Sequence, residues 1–249
     1  MNAFRQPLLS ALAGLALGCC LGFWLANSYS KGEQQRARGG TPPTVTKNSV
    51  GEKAAASDSE TLTDEEIRQA IARADAAPQN REMQLNLGRA LYLYAVQTRS
   101  AKVLPEAARL IRRAREARPD DQSTAVLFAN VLFDLGQASD PKAMAEAREQ
   151  YLQALKAKPG DADLLVNVGR TYYYERPPQP QPAIAAYRRA LAANPRHEGA
   201  LQNLVNALLD TNDLPEAERR LDEIESVNPN NPMLPTLRAR LEQMKNAGR

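Results

Sequence analysis

Between Thr63 and the C-terminus, apolar residues recur every three or four positions, the period of helices with one buried face. Ile67, Ala70, Ile71 and Ala74 form such a stripe behind Thr63 and Glu66, whose spacing is that of a capping box. A helix is predicted there, ended by Ala77-Pro78. At the other end, Leu234, Leu237, Leu241 and Met244 share one face of a predicted helix from Met233 to Ala247. Arg238, Arg240, Glu242 and Lys245 fall elsewhere on it. Two stretches break the period. Leu8 to Ala26 is apolar throughout, and residues 28–62 are polar, with Gly39-Gly40 and Pro42-Pro43, and predict a disordered linker.

The apolar run predicts a transmembrane helix within residues 1–27. Nineteen residues at 1.5 Å each span about 28 Å, close to a bilayer core of about 30 Å. Trp24 and Tyr29 stand near one end, where interfacial aromatics belong. A removed leader is the alternative, with Ala26-Asn27-Ser28 as the small residues, and acylation at Cys19 is a third reading. Ser10, Gly14, Gly18, Gly22 and Ala26 recur every fourth position, a stripe that lets two such helices pair and the chain form a homodimer. The frequency of Gly and Ala in membrane helices accounts for it equally. Lys31, Arg36 and Arg38 outnumber Arg5 on the near flanks and favour a cytoplasmic domain. The short N-terminal tail favours a periplasmic one, and that orientation is the expectation taken here for a single-pass membrane protein.

From Arg81 onward the pattern repeats. Each unit holds an apolar residue followed by a small or apolar one, then a second helix with Ala at fixed spacing, then Pro. Leu87-Gly88 leads to Ala107, Ile111, Ala114 and Pro119. Phe128-Ala129 leads to Ala147, Tyr151, Ala154 and Pro159. Val168-Gly169 leads to Ala183, Tyr187, Ala190 and Pro195, and Leu204-Val205 to Ala217, Leu221, Ile224 and Pro229. The units are 81–121, 122–161, 162–197 and 198–231, flanked by capping helices in 63–80 and 232–249. The longer first two units predict about one added turn in each helix of their hairpins. Arg176-Pro-Pro-Gln-Pro-Gln-Pro182 predicts a stiff extended loop, either a connector or a docking segment for a proline-binding partner.

Composition narrows the chemistry. Only 5% of residues are aromatic against 43% apolar, which favours an all-α fold. Residues 63–249 carry 26 Lys and Arg against 25 Asp and Glu, without the basic excess of a nucleic-acid binder. Both cysteines, Cys19 and Cys20, lie in the apolar run, and His197 is the sole histidine. Beyond that run no disulfide, thiolate metal site or cysteine nucleophile is available. With no phosphate loop either, no enzyme activity and no cofactor are expected. Arg109, Arg112, Arg113, Arg115 and Arg118 crowd one helix, as a solvated face or a site for an acidic partner or anionic lipid headgroups.

The four units resemble the tetratricopeptide repeat family over Arg81 to Asn231. The usual Trp of each unit is replaced by Gln84, Ala125, Leu165 and Leu201, and the Gly by Ala129 and Val205 in units two and four. The resemblance implies a right-handed α-solenoid of antiparallel helix hairpins whose first helices line a concave groove for peptide or protein partners. In that groove it places Asn86, Asn167 and Asn203, then Arg89, Asn130, Arg170 and Asn206, and one turn on Tyr92, Phe133 and Tyr173. Asparagine amides can pair with the backbone of an extended ligand, or bond within the repeat. Arg89 and Arg170 add forked donors for carboxylates. Leu85 stands where members that clamp a C-terminal carboxylate carry Lys. The expected function is a membrane-tethered scaffold in envelope assembly, protein export or cytochrome c maturation. The alternative is a secreted peptide-binding chaperone.

Overall fold

The computed structural model describes residues 63–247. The predicted membrane helix, its stripe from Ser10 to Ala26 and the linker lie outside the described residues. Among the described residues no helix is long and apolar enough to cross a membrane, and there is no strand. The chain divides into two units, residues 1–70 and 71–249. Helix α1, Asp64–Asp75, begins in the first. There Thr63 and Glu66 form a reciprocal capping box: Thr63 N donates to Glu66 Oε2 at 2.9 Å, and Glu66 N to Thr63 Oγ1 at 3.3 Å.

The second unit is a row of helix hairpins. They are α2 (Arg81–Thr98) with α3 (Leu104–Glu116), α4 (Gln122–Ala138) with α5 (Pro141–Leu155), α6 (Ala162–Tyr173) with α7 (Pro180–Ala193), and α8 (Glu198–Asp210) with α9 (Leu214–Val227). Helix α10, Leu234–Ala247, packs on α9 and buries Leu234, Leu237 and Leu241. Each helix packs on the next, so the core is a continuous seam, as a solenoid requires.

The two helices of a hairpin start differently. Each first helix begins on a side chain two residues past the Pro that closes the previous segment: Asn80, Asp121, Asp161 and His197. Each accepts a hydrogen bond from the backbone N–H three residues on, satisfying one otherwise orphaned donor. Each second helix instead carries Pro105, Pro141, Pro180 or Pro215 in its first turn, where no backbone donor is needed. Two expectations are corrected as a result. Pro180 and Pro182 belong to the first turn of α7, so only the stretch up to Gln179 connects the helices of unit three. That stretch is held at both ends, by Gln179 N on Tyr172 O at 2.9 Å and by a largely buried Arg148–Glu175 ion pair. The extra residues of units one and two also fall unevenly. First helices run to 18 and 17 residues against 12 and 13 later, while second helices hold at 13 to 15. Proline at both ends brackets the second helix, leaving the first to grow.

The hairpins close around small-residue positions. A Cβ on Gly88 would lie 2.6 Å from Ile111 Cγ1, and one on Gly169 would lie 2.3 Å from Tyr187 Cε1. The partner of the small residue is thus the large residue of the second helix, beside the Ala of the motif. Ala129 and Val205 occupy the same place in the other units, fully buried. In place of the absent Trp, Gln84 is fully buried and donates from Nε2 to Ala74 O at 2.7 Å and Ala77 O at 3.1 Å.

Four of the five clustered arginines are paired, and Arg118, exposed, lies beyond the end of α3. Arg109 and Arg113 share the carboxylate of Asp75. Arg112 pairs with Glu146 at 2.8 Å and lies over the Phe128 ring. Arg115 bonds Gln150, Gln153 and Pro119 O. These guanidinium groups tie α3 to its neighbours across the surface.

Replacing Gly169 by Val is expected to lower stability by roughly 1–3 kcal/mol, the scale of overpacking. Gly160→Ala, at a site with nothing within 4 Å, serves as the neutral control in thermal melts. Hydrogen bonds from Arg109 and then Arg113 hold the Asp75 carboxyl down at about 2. Its unfolded value is about 3.9, so its contribution is complete above that pH and is lost as pH falls toward 2. The Tm gap between the parent and Asp75→Asn should therefore narrow on acidification from pH 5 to pH 2. A constant gap would show that the charge is not what Asp75 contributes.

Candidate functional site

The first helices α2, α4, α6 and α8 lie side by side, and one side-chain position links each to the next. Tyr92 Oη donates to Asp134 at 2.9 Å. Phe133 meets Tyr174 edge to face, with centroids 6.0 Å apart. Tyr173 Oη donates to Asp210. Every link runs from the same place in one unit to the place one residue further in the following unit. At the end of the row, Arg240 of α10 bonds Asp210 and reaches Asn206 Oδ1 at 3.4 Å. These cross-links mark the shared face on which the predicted groove residues stand.

Burial is the largest influence on the titrating groups of this face. It pushes Tyr92 and Tyr173 up, with Asp134 and Asp210 adding to the effect. It also raises the carboxyl of Asp134, against the lowering influence of the Tyr92 hydroxyl and the Arg170 charge. A half-buried carboxylate is tolerated here because one hydroxyl and one guanidinium face it. An open depression of about 540 Å³ adjoins Asp134, lined also by Val96, Arg99, Leu104 and Gln137.

The predicted residues separate by what they already bond. Asn130 Oδ1 accepts the Tyr151 hydroxyl at 2.6 Å. Asn203 and Asn206 donate to carbonyls of their own helix, Gly199 at 2.6 Å and Gln202 at 3.1 Å. Asn167 Oδ1 receives one long bond, 3.4 Å, from Arg170. The Arg170 guanidinium is stacked 4.3 Å over the Phe133 ring, which positions it while leaving most of its donors uncommitted. Tyr92, Phe133 and Tyr173 are spent on the cross-links. Asn86 and Arg89 are exposed and have no side-chain partner among the described residues. Asn86, Arg89, Asn167 and Arg170 are therefore the groups with capacity for a ligand.

Sequence reasoning missed Asp134, Tyr174, Asp210 and Arg240. Asp134 and Asp210 follow the one-turn-on residue in units two and four, and Tyr92 and Tyr173 occupy the preceding place in units one and three. That alternation was visible in the chain, but its meaning depends on which units stack. Among the described residues no three His, Cys, Asp or Glu side chains gather where they could hold a metal ion.

A family model for the tetratricopeptide repeat matches residues 179–241. No curated protein matches the chain. Among solved structures, YrrB, described as a TPR protein with an unusual peptide-binding site, is similar with a TM-score of 0.54 at 17% identity, over 70% of this chain and 84% of that one. MamA 41-end from Desulfovibrio magneticus RS-1 aligns with a TM-score of 0.53 at 17% identity, over 68% and 86% of the two chains. A further MamA crystal structure aligns at 0.51 and 17% identity, over 66% and 81%. Residues 179–241 thus carry the tetratricopeptide repeat motif, and the stacked hairpins of the described chain have the fold of tetratricopeptide repeat proteins.

Proposed function

We propose that the face made by the first helices binds an extended segment of a protein partner, and that residues 8–26 hold this module at a membrane. The observation that carries the binding reading is the set of unspent polar groups on one face. Asn86 and Arg89 are exposed and without a partner among the described residues at its start, and Arg170 is fixed on Phe133 with donors to spare. Amide and guanidinium groups at helical spacing suit the backbone and acidic side chains of an extended chain. YrrB, whose fold is similar, is described as having a peptide-binding site. The membrane reading rests on the length and composition of Leu8–Ala26. Its small-residue stripe would pair two anchors, with the repeats in the periplasm. Envelope assembly, protein export and cytochrome c maturation are settings that such a tethered scaffold fits. A secreted peptide-binding chaperone is the second reading, supported by Ala26-Asn27-Ser28.

A photo-crosslinking residue at position 89 or 170 of the full chain should capture a partner segment, while one at the exposed Glu149 on a second helix should not. Against the partner so identified, Asn167→Ala with Arg170→Ala is expected to weaken binding by roughly 2–4 kcal/mol. The Tm should fall only modestly, through the loss of the Arg170 stacking on Phe133 and of its charge near Asp134. Full affinity with a lowered Tm would remove this face from the function. Separately, the full chain is expected to stay with membranes through high-salt and carbonate washes. A mature N-terminus beyond Ala26 would replace the anchor with a removed leader.

A further inference from the structure

Two tyrosines occupy the same place in successive hairpins, and their surroundings differ. In unit two, Tyr151 crosses behind Ala129 and its hydroxyl donates to Asn130, the next residue of the first helix. In unit three, the Tyr187 ring lies against Gly169, and the next residue is Arg170. A guanidinium has five donors and no acceptor, so it cannot take the proton that Asn130 takes. The outcome is visible: Tyr187 is fully buried, and its hydroxyl has no hydrogen-bond partner among the described residues. An unmade hydrogen bond of a buried donor is costly, yet nothing nearby relieves it. Asp134, the carboxylate that shares the electrostatic field of Arg170, is held by Tyr92. Asn167 Oδ1 faces Arg170 itself.

We propose that the Tyr187 hydroxyl and the Arg170 guanidinium together form a subsite for a carboxylate side chain of the bound segment. Two donors of different kind, one neutral and unpartnered among the described residues and one cationic with donors to spare, belong to adjoining places of the hairpin crossing. The two oxygens of a carboxylate accept from both, which a single carbonyl does less well. Burial of the Tyr187 hydroxyl makes the subsite a closed one. Arg170 is held by its stacking on Phe133 and by one 3.4 Å bond to Asn167, so its side chain must shift to admit the carboxylate oxygen. The Tyr187 ring lies against Gly169, and the equivalent Tyr151 hydroxyl reaches Asn130 in unit two, so repeat geometry brings the Tyr187 hydroxyl toward Arg170. This inference rests on the groove reading given above and adds the chemistry of one ligand group to it.

The arrangement predicts a signature that a structural tyrosine would not give. A hydroxyl kept for a ligand lowers stability in the free protein, so Tyr187→Phe should leave Tm equal or raised. Tyr151→Phe, which breaks a made bond to Asn130, should lower it. For binding, the full chain is tested against a bead-bound library of capped nonapeptides in which every Asp or Glu peptide is paired with its Asn or Gln counterpart. The parent should prefer the acidic member of its best pairs by about tenfold or more, the scale of a hydrogen bond to a charged group. Tyr187→Phe and Arg170→Gln should each remove most of that preference. A preference that survives Tyr187→Phe belongs to a guanidinium alone, Arg89 or Arg170, and overturns the subsite, as does retention of peptides without regard to acid. In both cases the groove reading stands. A Tm for Tyr187→Phe that falls as far as that of Tyr151→Phe shows the hydroxyl already satisfied and also overturns the proposal. A parent that retains no peptide at all overturns the groove reading with it.

Discussion

How closely two helices cross at one position per hairpin controls the rest of the repeat array. The residues at that crossing are Gly88 with Ile111 and Gly169 with Tyr187, and Ala129 and Val205 hold the equivalent places in the other units. Where a Cβ is absent, the opposing side chain fills its space to within 2.3–2.6 Å of where that carbon would stand. Where one is present, the position is still fully buried. Close packing leaves no slack for both partners to be large. The crossing also fixes the rotation of the first helix, and so decides that the following residue, Arg89, Asn130, Arg170 or Asn206, stands at the edge of the exposed face.

Once the rotation is set, the units can be joined by short-range chemistry. The cross-links Tyr92–Asp134, Phe133–Tyr174 and Tyr173–Asp210 use one geometry with two chemistries, polar at the ends of the series and aromatic in its middle. On the opposite side the guanidinium groups of α3 do comparable work through Asp75, Glu146 and Gln150. Such exposed ion pairs contribute little singly. Their effect here is to consume donors. The arginines of α3 are paired within the fold, whereas Arg89 has no partner among the described residues and Arg170 keeps donors to spare, which shifts the weight of any ligand argument to those two.

Much of the fold was legible in the chain, because helical period and Pro spacing are local. The capping box at Thr63 and Glu66, the four hairpins and the lid face of α10 all follow from residues a few positions apart. The error over the proline-rich segment was also local. The run of prolines reads as extended chain, although the first turn of a helix accommodates proline as readily and Pro180 and Pro182 stand there. The site was less legible. Asn86, Asn167 and Asn203 looked equivalent by register, but Asn203 bonds its own helix while Asn86 bonds nothing among the described residues.

The sequence by itself determined the paired-helix pattern, the start of most helices, and the place of each hairpin crossing. Those properties depend on backbone donors and side-chain volumes within one or two turns. Tertiary structure alone decided which polar groups remain available. Whether Tyr151 has a partner and Tyr187 does not depends on the residue brought against each ring by the hairpin crossing. Whether Asp134 or Asp75 is free depends on Tyr92, and on Arg109 and Arg113, arriving from over thirty positions away. A hydrogen bond has a reach of about 3 Å, so its formation is a fact of space that spacing along the chain does not contain.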